Sequence, residues 1–293
     1  MKVGFIGLGR MGEGVARRIL AGDQELAAYD PVPGKAAQLA DAGAMVAESI
    51  ANACEGRDVV FTMLPDDLSF HDAVLGKSGI RDSLAPKAIH IALGTHSVGV
   101  ISAAAAAHAG ANQIFIAAPV LGRPDVAAAG QLGIIAAGPK EAMSKCTPLF
   151  DLISRRVFDA GEKQEGAAAM KLANSFLLGC AIQAMAEAFS LVRKYDVSPH
   201  ALYDTLTDGL FAAPAYKIYG KIIADESYDK VGFTALLGLK DTNLALAASD
   251  AARVPMPSVS ALRDRLISVI AQGDGDKDWA ILAKEQARAS GLV

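Results

Sequence analysis

The most informative chemical pattern in the chain is a glycine-rich turn near the amino terminus. An apolar run at residues 3–6 leads into Gly-Leu-Gly-Arg-Met-Gly at residues 7–12, and a helical pattern follows. In a strand–turn–helix unit the first glycine allows a tight turn, the second lets the backbone approach a diphosphate, and the third lets the helix pack on the strand. Free N–H groups and the helix dipole would hold the phosphates. The candidate cofactor contacts are Gly7, Leu8, Gly9, Arg10, Met11 and Gly12.

An aspartate at the end of the second apolar run bears on the kind of dinucleotide. Asp30 follows the glycine turn at about the 20-residue distance expected of a ribose-binding carboxylate. Such a carboxylate accepts hydrogen bonds from a ribose 2′-hydroxyl and repels a 2′-phosphate. Pro31 follows it where an arginine would favour NADP, so the sequence favours NAD. NADP stays open as an alternative, because Arg10 or Lys35 could reach a phosphate.

The elements that would position this turn are short apolar strands that alternate with helical patterns. Continuous apolar strands separated by helices indicate a parallel sheet covered on both faces. The sequence therefore predicts an α/β, doubly wound, Rossmann-type dinucleotide-binding domain over residues 1–161. Strands are expected at residues 3–6, 26–29, 59–62, 89–92, 114–117, 132–136 and 156–159.

The character of the sequence changes after Gly161. Stretches rich in Ala, Leu and Met replace the strand-like runs, and they have helical composition. We therefore predict an all-helical domain for substrate binding and dimerisation over residues 162–293, joined to the first domain by a long helix. Its helices are expected at residues 165–195, 199–209, 213–223, 233–252 and 257–272.

Composition and charge narrow the classes of function. The chain has 293 residues, 52% hydrophobic and 20% charged, which is typical of folded domains. A net charge of −4 without a basic run argues against nucleic-acid binding. The most apolar stretch, residues 167–192, is broken by polar side chains, which favours a buried helix over a membrane span.

The start of the chain and its cysteines indicate a cytoplasmic protein. Met1 leads directly into a strand-like run, which leaves no room for a signal peptide. Cysteines that are odd in number and lack metal-ligand spacing indicate reduced, buried thiols and no metal site. These cysteines are Cys54, Cys146 and Cys180.

Several segments together resemble one enzyme family. Residues 5–12 are similar to the amino-terminal signature of the β-hydroxyacid dehydrogenases, which include 3-hydroxyisobutyrate dehydrogenase and glyoxylate/succinic semialdehyde reductases. Residues 63–65, 94–95, 166–175 and 238–241 resemble further family segments in the family's order. The resemblance implies a nicotinamide-dependent oxidoreductase of a small carbonyl compound and its alcohol. It also implies a homodimer or homotetramer assembled through the helical domain.

The resemblance assigns roles to single residues. Lys171 matches the family's catalytic lysine, and Leu64, Pro65 and Thr95 match cofactor contacts. Lys240 matches the lysine that closes over the cofactor. Carbonyl reduction needs a proton as well as a hydride, and desolvation on an apolar helix would lower the pKa of a lysine toward that task. The alternative for Lys171 is a lysine that snorkels from a core helix.

The chain departs from the family at the predicted substrate site. The family's carboxylate-binding loop reads Pro-Val-Ser-Gly-Gly, but here Leu121 replaces the serine and Arg123 replaces the last glycine. The asparagine that usually follows the lysine by four residues is Ser175 here. Arg123 either replaces the lost anchor as a cation or points to solvent. The candidate substrate contacts are Leu121, Gly122, Arg123, Asn174 and Ser175.

Two other functions stay open. Imine reductases share this architecture, although most carry aspartate or tyrosine where Lys171 stands, and an apolar pocket near Leu121 and Phe211 would suit an imine substrate. A non-catalytic nucleotide-binding sensor would account for the missing serine and asparagine. The retained lysine favours carbonyl chemistry over both.

Some polar residues are predicted to be structural. The 5 histidines show no metal-ligand spacing, and His96 is expected to be exposed on a loop. Asp66 and Asp67 follow Pro65 and are expected to cap the next helix. Trp279 is the sole tryptophan and is expected to anchor the carboxyl-terminal tail by packing.

Overall fold

A computed structural model describes all 293 residues of the chain. The chain divides into two compact units, Met1–Lys171 and Leu172–Val293. This division falls later than the predicted boundary after residue 161, because Ala167 and Ala168 at the start of the long helix are buried in a core of the first unit.

A six-stranded parallel sheet forms the centre of the first unit, in the order β3-β2-β1-β4-β5-β6. Its apolar strands were predicted nearly to the residue, because each is a continuous buried run. The edge strand β3 was missed, because an apolar run of two residues is too short to be recognised as a strand. Strands β1 to β6 are Lys2–Ile6, Glu25–Tyr29, Met45–Val46, Val59–Thr62, Ile89–Ala92 and Ile114–Ala117.

Helices cover both faces of this sheet, as the sequence predicts. A 3-10 helix, Ala36–Ala42, follows β2, and two of the α-helices are short, Ile80–Ser83 and Pro124–Ala128. Helices α1 to α7 are Gly12–Ala21, Ile50–Cys54, Asp67–Leu75, Ile80–Ser83, Val98–Gly110, Pro124–Ala128 and Lys140–Ile153.

A second, three-stranded sheet holds the last strands of the first unit. Strand β7, Val120–Leu121, pairs antiparallel with β8, Leu132–Ala136. Strand β8 pairs parallel with β9, Ser154–Asp159. Two of these strands were predicted, but β7 is too short to be recognised from an apolar pattern.

Alternate side chains of the strands pack into two separate hydrophobic cores, one on each face of the sheet. Phe5 and Phe61 lie in the core beneath α1 and α7, whereas Ile6 and Val60 lie in the core beneath α3 and α5. Burial on both faces is the expected property of a parallel sheet with helices on each side. The sheet is therefore a fixed platform for the loops that leave its carboxyl edge.

The second unit is helical, as predicted. The long helix α8, Gln164–Lys194, begins in the first unit and continues into the second. A 3-10 turn, Trp279–Ile281, precedes the last helix, α13, which the sequence pattern did not predict. Helices α9 to α13 are Pro199–Asp208, Pro214–Ala224, Ala235–Ala252, Pro257–Ala271 and Leu282–Ala289.

The core of the second unit forms around α8, α12 and the sole tryptophan. Trp279 is 2% exposed and makes edge contacts with Phe233 and Tyr219. Gly179 and Gly238 also pack against its ring, so α8 and α11 both contact it. Trp279 thus anchors the tail by packing, as predicted.

Helix α8 also has the length and apolar composition of a membrane span. Of its most apolar window, 39% is buried within the protein. The core helix of a water-soluble protein meets the same two criteria, so this feature alone decides nothing about a membrane.

Candidate active site

The glycine turn adopts the conformation that its spacing predicts. Gly7 has φ +95°, and a Cβ there would lie 2.4 Å from the carbonyl oxygen of Met63. A Cβ on Gly12 would lie 2.0 Å from the carbonyl oxygen of Gly7, so the turn and the start of α1 are packed backbone against backbone. Both positions therefore require glycine. A Cβ on Gly9 would point into open space.

Asp30 is bonded to this turn. The Leu8 N–H donates to Asp30 Oδ2 at 2.6 Å, and the Val32 N–H donates to Oδ1 at 2.8 Å. A carboxylate has about four lone-pair positions, so both oxygens keep capacity for another donor. Asp30 therefore holds the turn from the end of β2 and can also accept from a ribose.

The two other predicted cofactor segments contact each other at the edge of the sheet. A Cβ on Gly94 would lie 2.8 Å from the carbonyl oxygen of Leu64, so these backbones pack directly. The Leu93 N–H donates to the carbonyl of Thr62 at 2.8 Å, which joins the two segments where they leave β4 and β5. Thr95 is half-buried in one segment, and Pro65 is exposed in the other.

The two aspartates that follow have different roles. Asp66 caps α3 as predicted, accepting from the Ser69 N–H at 2.8 Å. Asp67 instead accepts from the Ser97 N–H at 3.0 Å and lies 3.3 Å from His96 Nδ1. Burial disfavours its charge, but the interactions with His96 and Ser97 outweigh burial and lower the pKa of Asp67 to about 2.

The prediction that His96 is exposed is wrong. The residue is 2% exposed, and its ring lies 4.4 Å from that of Phe70. Its Nε2 lies against Gly94, where a Cβ would approach to 2.3 Å. The imidazole turns inward because Asp67 and the Phe70 ring offer it both a charge and an apolar surface. Sequence neighbours alone did not indicate this pocket.

These residues fit a dinucleotide. The open space above Gly9 allows a diphosphate to approach the backbone, and no side chain caps the first turn of α1. The N–H groups and dipole at that helix end favour an anion. Arg10 and Met11 lie beside this helix end, and Met11 is half-buried. The glycine turn would hold the diphosphate and Asp30 the ribose.

The helix that carries Lys171 is bonded to the first unit at its start. Gln164 Nε2 donates to the Phe115 carbonyl at 2.9 Å, and Ser102 Oγ donates to Glu165 Oε1 at 2.7 Å. The Ser102 hydrogen bond also lowers the pKa of Glu165. Lys171 is half-buried two turns further on, at the end of this unit.

The predicted substrate loop lies in the same unit. Leu121 is half-buried and packs against the hydrophobic core that includes Ala167 and Ala168 of α8. Gly122 has φ +149°, a conformation that favours glycine. Arg123 follows at the start of α6 and is partly buried.

The side chain of Arg123 has a buried N–H group, at Nε, without a hydrogen-bond acceptor. Its Nε is shielded from solvent and makes no hydrogen bond within the protein. A guanidinium donor that is buried without an acceptor costs free energy, and an anion supplied from outside would recover it. Arg123 is therefore a candidate anion-binding residue, two positions after Leu121.

Three residues of the second unit form a polar cluster. Ser175 Oγ donates to Asp241 Oδ2 at 3.0 Å, and Lys240 Nζ lies 3.3 Å from Asp241 Oδ1. Asp241 is 4% exposed. Asp241 was not predicted as a site residue, although its position directly after Lys240 was a usable signal. Asn174, in contrast, is exposed on α8 and is outside the cluster.

The three cysteine thiols are expected to be unreactive. Burial raises the pKa of the Cys54 and Cys146 thiols to about 12. Burial also raises the pKa of the half-buried Cys180. A raised thiol pKa leaves little thiolate for reaction at neutral pH, as expected of structural cysteines.

Two family models match the two parts of the chain. The NAD-binding domain of 6-phosphogluconate dehydrogenase matches residues 2–161. The NAD-binding domain of NADP-dependent 3-hydroxyisobutyrate dehydrogenase matches residues 166–285.

Individual relatives match over almost the whole length. The uncharacterized oxidoreductase YfjR of Bacillus subtilis is 41% identical over 97% of this chain and 99% of its own. The chain belongs to the β-hydroxyacid dehydrogenase family. Another family member, 3-hydroxyisobutyrate dehydrogenase of Pseudomonas aeruginosa, is 31% identical over 94% of each chain.

A solved structure of a β-hydroxyacid dehydrogenase has the same fold. The 3-hydroxyisobutyrate dehydrogenase of Mycobacterium tuberculosis, solved with L-serine, has a TM-score of 0.89 at 24% identity and covers 97% of this chain and 98% of its own. As a member of this family, the chain is an NAD(P)-dependent oxidoreductase.

Proposed function

We propose that this enzyme interconverts a small hydroxy acid and its carbonyl product with Lys171 as general acid–base. The observation that carries the proposal is the placement of Lys171. It is half-buried on a helix whose start is bonded to the dinucleotide-binding unit through Gln164 and Glu165. A half-buried ammonium on a helix fixed to that unit can be held at a constant position for proton transfer.

The chemistry divides between the cofactor and the chain. A bound nicotinamide supplies or accepts the hydride. The Lys171 ammonium donates a proton to the oxygen that becomes the hydroxyl, and its neutral amine takes that proton in the reverse direction. Relatives named 3-hydroxyisobutyrate dehydrogenase support a 3-hydroxy acid and the corresponding semialdehyde as the substrate class.

Arg123 is proposed to bind the charged end of the substrate. Leu121 lacks the hydroxyl of the serine that the family has at this position. Two residues further on, the Nε of Arg123 is a charged donor without an acceptor in the protein. A guanidinium binds carboxylates in a bidentate manner. Gly122 is exposed beside it, and Asn174 and Ser175 are proposed as further substrate contacts.

The cofactor is proposed to be NAD. Both oxygens of Asp30 are held in place by backbone N–H groups, so the carboxylate cannot turn away from a 2′-phosphate without breaking those bonds. Leu64, Pro65 and Thr95 are proposed to contact the cofactor, and Lys240 to close over it. Within the second unit the Lys240 ammonium lies 3.3 Å from the Asp241 carboxylate.

We further propose a cytoplasmic homodimer or homotetramer formed through the helical unit. Large apolar side chains are exposed along one face of α8, where a second copy would cover them. The three free cysteines suit a reducing compartment.

A substrate screen tests the proposed reaction. Purified enzyme would be assayed with NADH and NADPH against semialdehydes, glyoxylate, neutral aldehydes, ketones and cyclic imines, following absorbance of the reduced cofactor. We expect turnover of the carboxylate-bearing aldehydes with NADH. Turnover of cyclic imines alone would indicate an imine reductase, and cofactor binding without any turnover would indicate a sensor.

The Arg123 proposal is tested in the same assay. Arg123→Leu should raise KM for a semialdehyde by about tenfold or more while leaving a neutral aldehyde of equal length unaffected, because only the former has a carboxylate to lose. Arg123→Lys keeps the charge and should be intermediate. Equal losses for charged and neutral substrates would show that Arg123 does not bind the carboxylate.

A further inference from the structure

Two buried histidines form a hydrogen-bonded chain next to the predicted cofactor segments, residues 63–65 and 94–95. Thr62 Oγ1 lies 2.9 Å from His90 Nε2, and His90 Nδ1 lies 2.9 Å from His108 Nε2. His108 Nδ1 lies 2.7 Å from Gln113 Oε1. All four residues are buried, and both histidines are 0% exposed. The chain joins β4, β5 and α5 to the start of β6.

The direction of every bond in this chain follows from Gln113. Its Nε2 donates to the carbonyls of Arg81 and Leu84 at 2.9 and 2.5 Å, so its Oε1 must be the atom that faces His108. An amide oxygen only accepts, so His108 Nδ1 carries a proton, and in the neutral ring Nε2 then accepts. His90 Nδ1 must then donate to that nitrogen. Its bare Nε2 accepts from the Thr62 hydroxyl.

The surroundings oppose a positive charge on either ring. Phe70 and Phe115 flank His90, with ring centres 5.9 and 5.1 Å away. Burial lowers the pKa of His90 well below its usual range, and the facing His108 and His96 lower it further. Burial also lowers the pKa of His108 and Arg81 adds to this effect, although the hydrogen bond with Gln113 acts in the opposite direction.

The series of hydrogen bonds ends at Thr62, directly before the predicted cofactor segment at residues 63–65. Thr62 is the last residue of β4, and its carbonyl accepts from Leu93 at the end of β5. The next residue, Met63, places its carbonyl oxygen against Gly7 of the glycine turn. A displacement of Thr62 would therefore be passed to two of the segments that the proposed function assigns to the cofactor.

We propose that Thr62, His90, His108 and Gln113 form a one-directional relay of positioning residues that fixes the cofactor loops and works only while both histidines are neutral. The proposal rests on the proposed use of those loops by the cofactor. A proton added to His108 Nε2 would point at the N–H of His90. A proton added to His90 Nε2 would bury a charge and force the Thr62 hydroxyl to turn away.

A matched pair of variants tests the positioning role. Thr62→Val keeps the shape but leaves His90 Nε2 without a donor, whereas Thr62→Ser keeps the hydroxyl. We expect NAD⁺ binding, measured by calorimetry at pH 7.5, to weaken at least fivefold in Thr62→Val and to stay within twofold of wild type in Thr62→Ser. Equal affinities in all three proteins would overturn the proposal.

Nitrogen-15 NMR of the histidines in the wild-type enzyme tests the relay without any substitution. At pH 7.5 we expect two histidines, assigned as His90 and His108, to be neutral with the proton on Nδ1. A proton on Nε2 of either ring, or a charged ring, would overturn the proposal. Both measurements are made without turnover. A failure of the Lys171 mechanism would therefore leave both results unchanged and could be told apart from a failure of the positioning proposal.

Discussion

Asp30 serves both the glycine turn and the expected ribose, so substitution should change cofactor choice more than folding. Asp30→Ser removes the charge that repels a 2′-phosphate. The turn keeps its backbone hydrogen bond from the Gly7 N–H to the Tyr29 carbonyl. We expect the ratio of kcat/KM for NADPH over NADH to rise by about tenfold or more, equivalent to about 1.4 kcal/mol.

Asp41→Ser, at an exposed aspartate, is the control and should leave the ratio unchanged. A wild-type enzyme that already strongly prefers NADPH would contradict the assignment of Asp30.

His90 and His108 should make the enzyme sensitive to mild acid. Their pKa values are lowered in the folded state, so the unfolded chain binds more protons below about pH 6.5 and stability falls as the pH drops through that value. Each histidine contributes about 1.4 kcal/mol per pH unit until its folded-state pKa is reached. Asp67, with a pKa of about 2, contributes a loss only at lower pH.

Urea unfolding between pH 6.5 and 5.0 measures this slope. We expect a decrease in the free energy of unfolding of about 1.4 to 2.7 kcal/mol per pH unit. A flat profile over that range would show that neither buried imidazole stays neutral.

Single residues were predicted from sequence where the chemistry is local. The glycine turn and the cap at Asp66 act on residues close in sequence, and Asp30 lies within the same strand–helix–strand unit as the turn. The histidine relay and the burial of His96 depend on strands and helices that are distant in sequence, so residue spacing carried no signal for them. Asp241 required the pairing of α11 with α8 through Ser175.

At the scale of elements, helix α8 should depend on its anchors. Ser102→Ala removes the hydrogen bond to Glu165, and Gln164→Ala removes the bond to Phe115. We expect the double variant to lose about three- to tenfold in kcat with an unchanged NADH affinity, because a displaced Lys171 transfers its proton less well.

Ser198→Ala, at the start of α9, is the control for the helix anchors, since Ser198 makes no side-chain capping bond. A kcat of the double variant equal to that of wild type would show that α8 needs no support from these residues.

The strands and long helices could be predicted because their apolar patterns are continuous. The runs at residues 59–62, 89–92 and 114–117 match β4, β5 and β6 in both bounds. The strands β3 and β7 have only two residues each, too few for a recognisable apolar run, and α6 is shorter than two helical turns.

At the scale of the whole molecule, an exposed stripe on α8 should form the interface between copies. Leu177 and Leu191 are 63% and 61% exposed, about four helical turns apart on one face, with the small, exposed Ala184 between them. Exposed apolar stripes of this kind mark interaction surfaces. We expect the double variant Leu177→Glu, Leu191→Glu to be monomeric in light scattering where wild type is a dimer or larger.

Leu68→Glu, at an equally exposed leucine of α3, should keep the wild-type mass. A monomeric wild-type enzyme at micromolar concentration, or an assembly that survives both α8 substitutions, would contradict the proposed interface.

The central claim is that Lys171 transfers the proton that accompanies hydride transfer. Its most direct test is the single-turnover rate of NADH oxidation in Lys171→Met, with Lys194→Met on the last turn of the same helix as control. We predict a fall on the order of 10²–10⁴-fold in the first variant, unchanged NADH affinity, and a wild-type rate in the second. A wild-type hydride-transfer rate in Lys171→Met would contradict the claim.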